Sequence, residues 1–424
     1  MKTHTRPDRE PPGAHRLFAA NGPGLEDHLA RFGRLPTTSP QDLISSLGQA
    51  GLTGRGGAGF PAGRKVAAVT GRKPVVVGNG AEGEPLSRKD AMLVGRAPHL
   101  VLDGLQVAAD AVGSRTIYLY LPSHIAPIAR FAIDERTAAG WDRHRVTVVE
   151  AGDAFVAGEE SAVVRAIEGG PTRPRDRTVP MSTSGVRGRP TLVNNVETLA
   201  HIALIARFGH RWFRSIGDNS EPGTMLVTLS GAVSGRPVME VPTGTQLSTV
   251  IGHGGATDLR HVGAALIGGY HGTWLPSAVF NDAALSRAGL SRVGASPGAG
   301  IVHTLPIDEC GLARTAEIVA YLAEQGARQC GPCRNGLPRL ATLFDELAYS
   351  NVDDALLDEL DRILGLVDGR GSCRHPDGTV RLARSALTVF ADDITHHRRG
   401  RCDAAFAAVQ STGDHHAHRG EARK

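Results

Sequence analysis

Residues 74–85 read PVVVGNGAEGEP. Behind the proline, three consecutive valines make a β-branched run suited to the pleated surface of a buried strand, and Asn79-Gly80 then ends it with turn-forming residues. Glu82 and Glu84 follow at the carboxyl end of that strand. Two more such runs, TIYLYL at 116–121 and VTVVEAG at 146–152, alternate with helical stretches, LVLDGLQVAADAV at 100–112 and IAPIARFAIDERTAA at 125–139. This alternation predicts a parallel α/β sheet, whose carboxyl edge is the usual ligand crevice.

Upstream, Ser39 followed by Pro40 predicts a helix start, and Gly51 its stop. The next segment, GRGGAGFP at 54–61, places four glycines in six positions at a loop-to-helix junction. Bare backbone N–H groups there can surround a phosphate, with Arg55 and Lys65 adding countercharge, although glycines alone read equally well as a tight turn. Downstream, Gly158-Glu159-Glu160-Ser161 opens a helix after a strand. The segment PTLVNNVET at 190–198 offers adjacent amides, Asn194 and Asn195, each able to donate and accept towards a heteroaromatic ring. Taken singly, the glutamates read as helix-start caps and the asparagines as turn residues.

Beyond about residue 220 the pattern becomes a small mixed unit rich in strands (TMLVTLSGAV, PVMEVP, AALIGG, GIVHTLP). From Cys310 the period switches to 3.6, predicting helices over 311–325, 335–348, 353–367 and 379–397 in a compact bundle. A chain of 424 residues exceeds a single ordinary core and implies two or three domains. Glycine is 53 of those residues against a usual share of about 7%, an excess that belongs to turns and close backbone approaches. The formal charge of +4 is interleaved rather than gathered into a stripe with aromatics, which argues against nucleic acid. Five cysteines, two of them as Cys330-x-x-Cys333, do not make a disulfide framework and suit a reducing compartment, the cytoplasm. No run reaches the ~18 apolar residues of a spanning helix, so membrane contact is expected only through a partner. The tail STGDHHAHRGEARK is expected to be disordered.

Together these segments resemble the NADH-binding flavoprotein of respiratory complex I (the F-subunit family) and its relatives in NAD-linked hydrogenases and formate dehydrogenases. The likeness runs from about residue 40 to 390 and marks the chain as a divergent, stand-alone member. It implies an α/β chain with an N-terminal extension at 1–40 and an FMN- and NADH-binding parallel-sheet domain at 41–218. A small ubiquitin-like α+β domain of the β-grasp type follows at 219–305, then a helical iron–sulfur domain at 306–408 and a tail at 409–424. Carried over by position, the resemblance implicates Gly54, Arg55, Gly56, Gly57, Gly59, Phe60 and Lys65, then Asn79, Glu82 and Glu84, then Gly158, Glu159 and Glu160, then Asn194, Asn195 and Thr198 in holding FMN and NADH. Glu84 and Glu160 would line the nicotinamide, and no side chain need act as acid or base. Where relatives carry an Asp, a Tyr and a Cys, this chain has Ala81, Phe155 and Ala157. The aromatics that sandwich adenine in relatives fall on Ala68 and near Val179, so weaker NADH binding is expected.

The resemblance also implies a 4Fe–4S cluster. Relatives supply four cysteines, whereas here Cys330, Cys333 and Cys373 match and the first position is Ala327. Candidates for the fourth ligand are His375, Cys402 and Cys310, the last two set apart by helices, or an exogenous group. Cys₃His spacing would also satisfy zinc. The expected function is electron transfer from NADH through FMN and the cluster to a ferredoxin-like or other electron-transfer protein. Two alternatives are a flavin and iron–sulfur protein that has lost NADH, and a non-catalytic paralogue with structural zinc.

Overall fold

A run of valines buried on both faces belongs inside a sheet, and in the computed structural model, which describes residues 15–175, 179–235, 237–255, 259–349, 352–402 and 404, Val75, Val76 and Val77 are all fully buried. The first part of the chain runs α1 (Leu25–Phe32), α2 (Pro40–Ala50), α3 (Ala62–Ala67), β1 (Val75–Asn79), α4 (Lys89–Arg96), α5 (Pro98–Val112), β2 (Thr116–Pro122), α6 (Ala126–Ala138), β3 (Val146–Ala151), α7 (Glu160–Ile167), β4 (Thr191–Asn195) and α8 (Val196–Phe213). Ser39 caps α2 as its position predicts, accepting from the Asp42 N–H, and Gly51 closes the helix with φ of 69°. The four strands are parallel in the order β3-β2-β1-β4. Because β2 and β3 extend from one side of β1 and β4 lies on the other, the winding reverses between β1 and β4. At such a switch point the connections diverge and leave a crevice beyond the strand ends.

Helices α5 and α8 cover the sheet and approach closely at Gly104, where an added Cβ would lie 2.1 Å from the Leu199 carbonyl oxygen. Beside it, the fully buried Asp103 is shared by His28, Arg136 and Arg207 from α1, α6 and α8. Burial alone would raise its pKa, but Arg207, His28 and Arg136 hold it well below the usual range. The segment before α1 is tied down as well, since the backbone N–H groups of Arg16 and Leu17 donate to the Glu240 carboxylate.

The second unit comprises β5 (Thr224–Gly231), β6 (Val238–Pro242), α9 (Leu247–His253), β7 (Val262–Ile267), β8 (Thr273–Pro276), α10 (Arg287–Ser291) and β9 (Ile301–Pro306). Its sheet order is β6-β5-β9-β7-β8, with β5 parallel to β9 and the other neighbours antiparallel, the arrangement of a β-grasp. Among the described residues, five named helices follow, α11 (Gly311–Gln325), α12 (Leu337–Tyr349), α13 (Asp354–Val367), α14 (His375–Val389) and α15 (Ala391–His397). Two details depart from the periodicity. A π turn, Pro332–Gly336, precedes α12, and the helix expected over 379–397 starts at His375 and breaks at Phe390, whose ring packs on Trp274 at 5.3 Å. Residues 1–14 and the tail at 409–424 lie outside the described residues.

Candidate functional site

Asn79 and Asn195 are register partners at the carboxyl ends of β1 and β4, and Gly78 faces Asn194 one step inside. The Gly-rich loop arches over this edge. Gly57 and Gly59 have φ of 111° and 64°, values that side chains rarely adopt, and a Cβ on Gly56 would sit 3.2 Å from that of Asn195. The three asparagines are not equivalent. Asn79 Nδ2 donates to the Gly158 carbonyl at 2.9 Å and its Oδ1 accepts from the Ala81 N–H. Asn195 caps α8, accepting from the Glu197 N–H, and donates to the Asp90 carboxylate at 2.6 Å. Both brace the crevice. Asn194 Nδ2 alone of the three amides is buried with no hydrogen-bond partner among the described residues.

The charged residues sort in the same way. Arg55 is corrected as a source of countercharge, because its guanidinium turns into the core, pairs with Glu221 at 3.1 Å and donates to the Thr224 carbonyl. Its backbone N–H donates to Thr198 Oγ1, which uses that hydroxyl to hold the loop. Glu82 caps α4, accepting from the Asp90 and Ala91 N–H groups, and Glu159 caps α7, accepting from Ser161 and Ala162. Lys65 pairs with Glu160 at 2.5 Å with both side chains about a third exposed, so cation and carboxylate face each other across the mouth. Arg287, which nothing in its local sequence singles out, reaches over from α10, donates to the Gly57 carbonyl at 2.8 Å and fills the space beside Gly59.

Glu84 points into the boundary with the β-grasp unit, where it accepts from the Tyr270 N–H at 2.8 Å. Burial pushes its pKa up to about 7, against the opposing effect of the Tyr270 and Leu86 N–H groups. Behind it the loops at 80–85 and 152–159 touch backbone to backbone, since a Cβ on Gly83 would lie 2.3 Å from the Phe155 carbonyl oxygen. Phe60, at 51% exposure, Val179 and Ala68 lie on the outer surface. A separate cavity of about 910 Å³ between β8 and α14 shares no residue with the crevice.

Phe155 links the crevice to the cysteines. Its ring packs 4.7 Å from His271 and 5.5 Å from His375, two residues past Cys373. Cys333 is buried on the π turn, and burial together with the adjacent Cys330 thiol pushes its pKa up to about 12. Crowded sulfurs resist deprotonation because each thiolate puts charge beside the next, and a cationic metal centre reverses that preference. The Arg328 N–H donates to the Cys333 sulfur, with Arg328 at φ of 55°, and the His375 N–H donates to Cys373. Three sulfurs, two of them with a backbone donor aimed at them, fit a cluster.

The side chains considered for the fourth position do not. His375 is 3% exposed with both ring nitrogens engaged, Nε2 with the Leu322 carbonyl at 2.8 Å and Nδ1 with His271 at 3.1 Å. Cys402 lies with Cys310 and His397 instead. Ala327 occupies the remaining position and supplies no ligand atom.

Two parts of the chain match families of known proteins. Residues 47–204 match the family described as the Nuo51 FMN-binding domain, and residues 313–397 match the NADH-ubiquinone oxidoreductase-F iron-sulfur binding region. The chain is 30% identical over 389 residues to the F subunit of NADH-quinone oxidoreductase from Streptomyces coelicolor, covering 88% of this chain and 86% of that protein. It is 29% identical over 396 residues to HndC of the NADP-reducing hydrogenase from Solidesulfovibrio fructosivorans, covering 88% and 80%. Among solved structures, NAD+-reducing NiFe hydrogenase in the H2-reduced state superposes with a TM-score of 0.78 at 27% identity, covering 85% of this chain and 62% of the hydrogenase chain. The chain therefore belongs to the family of NADH-quinone oxidoreductase F subunits, NADH dehydrogenase-type oxidoreductases that take electrons from NADH through FMN to a 4Fe–4S cluster.

Proposed function

We propose that FMN sits in the crevice between β1 and β4, that NADH enters past Phe60, Glu84 and Glu160, and that electrons leave by way of Cys330, Cys333 and Cys373. The observation that carries this reading is Phe155, which stands between the crevice loop and the Cys373 loop and joins the two sites through ring contacts. When bound, flavin supplies what no side chain can, accepting two electrons as a hydride and releasing them singly. The chain's own groups position it. Gly56, Gly57 and Gly59 bring backbone to the phosphate, Lys65 and Arg287 supply positive charge, and Asn194 Nδ2 donates to the ring. Phe155 fills the space between the sites and keeps water from the path.

Three cysteines hold the cluster, with the fourth position taken by an exogenous ligand. The partner is an electron-transfer protein of the ferredoxin type with an acidic face. The two cysteine loops, 326–336 and 369–377, carry exposed Arg328, Arg334, Arg370 and Arg374 against a single acid, Asp377, already paired with Arg374. Oxidisable thiol ligands near the surface suit a reducing compartment, the cytoplasm. Neither a flavoprotein without NADH nor a zinc-bearing paralogue is favoured by the family to which the chain belongs. Anaerobic optical spectra test the proposal, followed by stopped-flow bleaching of the flavin against NADH. A colourless protein after cofactor-replete expression, or flavin that dithionite reduces and millimolar NADH does not, would overturn it.

A further inference from the structure

Cys310, His397 and Cys402 come together at a place that neither the crevice nor the cluster loops use. Their ligand atoms all lie within 4.8 Å of one another. Cys310 is the N-cap residue of α11, His397 ends α15, and Cys402 follows five positions later. Cys310 Sγ is 3.7 Å from His397 Nε2. His397 is 8% exposed, and its ring Nδ1 donates to the Leu347 carbonyl at 3.0 Å. That bond selects the tautomer whose Nε2 lone pair faces the two sulfurs, which is how a metal-bound histidine is held by its outer partner. The group is not part of the cluster site. Cys330 and Cys333 lie past the far end of α11, whose 15 residues span about 22 Å.

We propose that Cys310, Cys402 and His397 form a second metal site that takes one zinc-class divalent ion, with water as the fourth ligand. Two thiolates and an imidazole are soft to borderline donors and match zinc rather than magnesium or calcium, which demand oxygen. Both sulfurs are only half-buried, so the fourth position of a tetrahedron opens to solvent. Binding releases the two thiol protons to solvent and leaves the imidazole neutral. The ion joins the start of α11 to the segment after α15, with Leu347 of α12 steadying the histidine, and closes the bundle at the end opposite the cluster.

The test uses full-length protein made anaerobically with iron and zinc supplied, dialysed against a weak chelator, with both metals then counted by mass spectrometry. About one zinc per chain is expected in the wild type, lost in Cys310→Ser, Cys402→Ser and His397→Ala while iron is unchanged. Zinc-edge X-ray absorption on the wild type needs no variant to fold, and should show two sulfurs at about 2.3 Å. Zinc absent from the wild type, zinc retained in the cysteine variants through His415, His416 or His418, a zinc shell without sulfur, or a Cys310–Cys402 disulfide in the anaerobic protein would each overturn the site.

Discussion

Asn194 and Asn195 are neighbours of one chemical type, and only their partners separate them. Asn195 spends its amide on Asp90 and on the start of α8, whereas the Asn194 Nδ2 is buried and unmet among the described residues. A buried unsatisfied donor costs about 1–3 kcal/mol. Asn194→Leu, of the same branched shape, should therefore raise the melting temperature of the flavin-free protein while lowering its affinity for FMN at least about tenfold. Parallel thermal melts and fluorescence titration check both. Glu84 titrates where carboxylates rarely do. With a folded pKa near 7 against an ordinary value of 4.5, the native state holds its proton more tightly than the unfolded chain. The stability this provides is full at low pH and is lost as pH rises through about 7. Glu84→Gln keeps an acceptor for the Tyr270 N–H and should show a flatter melting temperature than the wild type between pH 5 and 8. Parallel curves for the two proteins would refute the assignment.

At the scale of elements, β1, β2 and β3 were legible because runs of valine, isoleucine, threonine and tyrosine carry the strand signal within five or six residues. β4 was not. Its run ends in two asparagines, which read as turn or ligand residues until pairing with β1 makes them a strand end. The α14–α15 break was equally hidden, since Phe390 is seated on Trp274 from the other unit. Asp103 shows what such cross-element groups support, joining α1, α5, α6 and α8 through one carboxylate. Arg136 retains Asp142 if that carboxylate is removed, but Arg207 is left uncompensated, so Asp103→Asn should cost about 3–5 kcal/mol in urea unfolding. In the cysteine loops, Cys333→Ser and Cys373→Ser should each lose iron. His375→Ala should retain it with weakened flavin-to-cluster transfer, because the ring bridges Phe155 and does not ligate. Iron content and EPR of the reduced protein distinguish these outcomes.

For the whole molecule, the arrangement of charge matters more than its total. The net +4 is modest, yet four exposed arginines surround the cysteine loops. Attraction of an acidic partner to such a collar is screened within about 10 Å at 0.1 M salt. Electron transfer to an acidic ferredoxin should therefore slow as salt rises from 20 to 300 mM. Arg328→Glu combined with Arg334→Glu should remove most of that salt dependence while leaving flavin reduction by NADH unchanged. A salt-insensitive rate in the wild type would place the partner elsewhere.

From the sequence alone came the parallel sheet, the helical bundle, the glycine-rich loop and three of the cysteines, because each is written in residues close enough to impose a period or a spacing. The same local signals could not tell which polar groups were free to meet a ligand. Arg55 and Glu82 looked available and are consumed by Glu221 and by the start of α4, while Arg287 looked idle and lies on the loop. Likewise His375 is two positions from Cys373 yet has both nitrogens occupied, and Cys310 and Cys402, separated by most of the helical unit, share one site with His397. A side chain's availability is set by whatever folds against it, and for Arg55, Arg287, His375 and Cys310 that neighbour is distant in the chain.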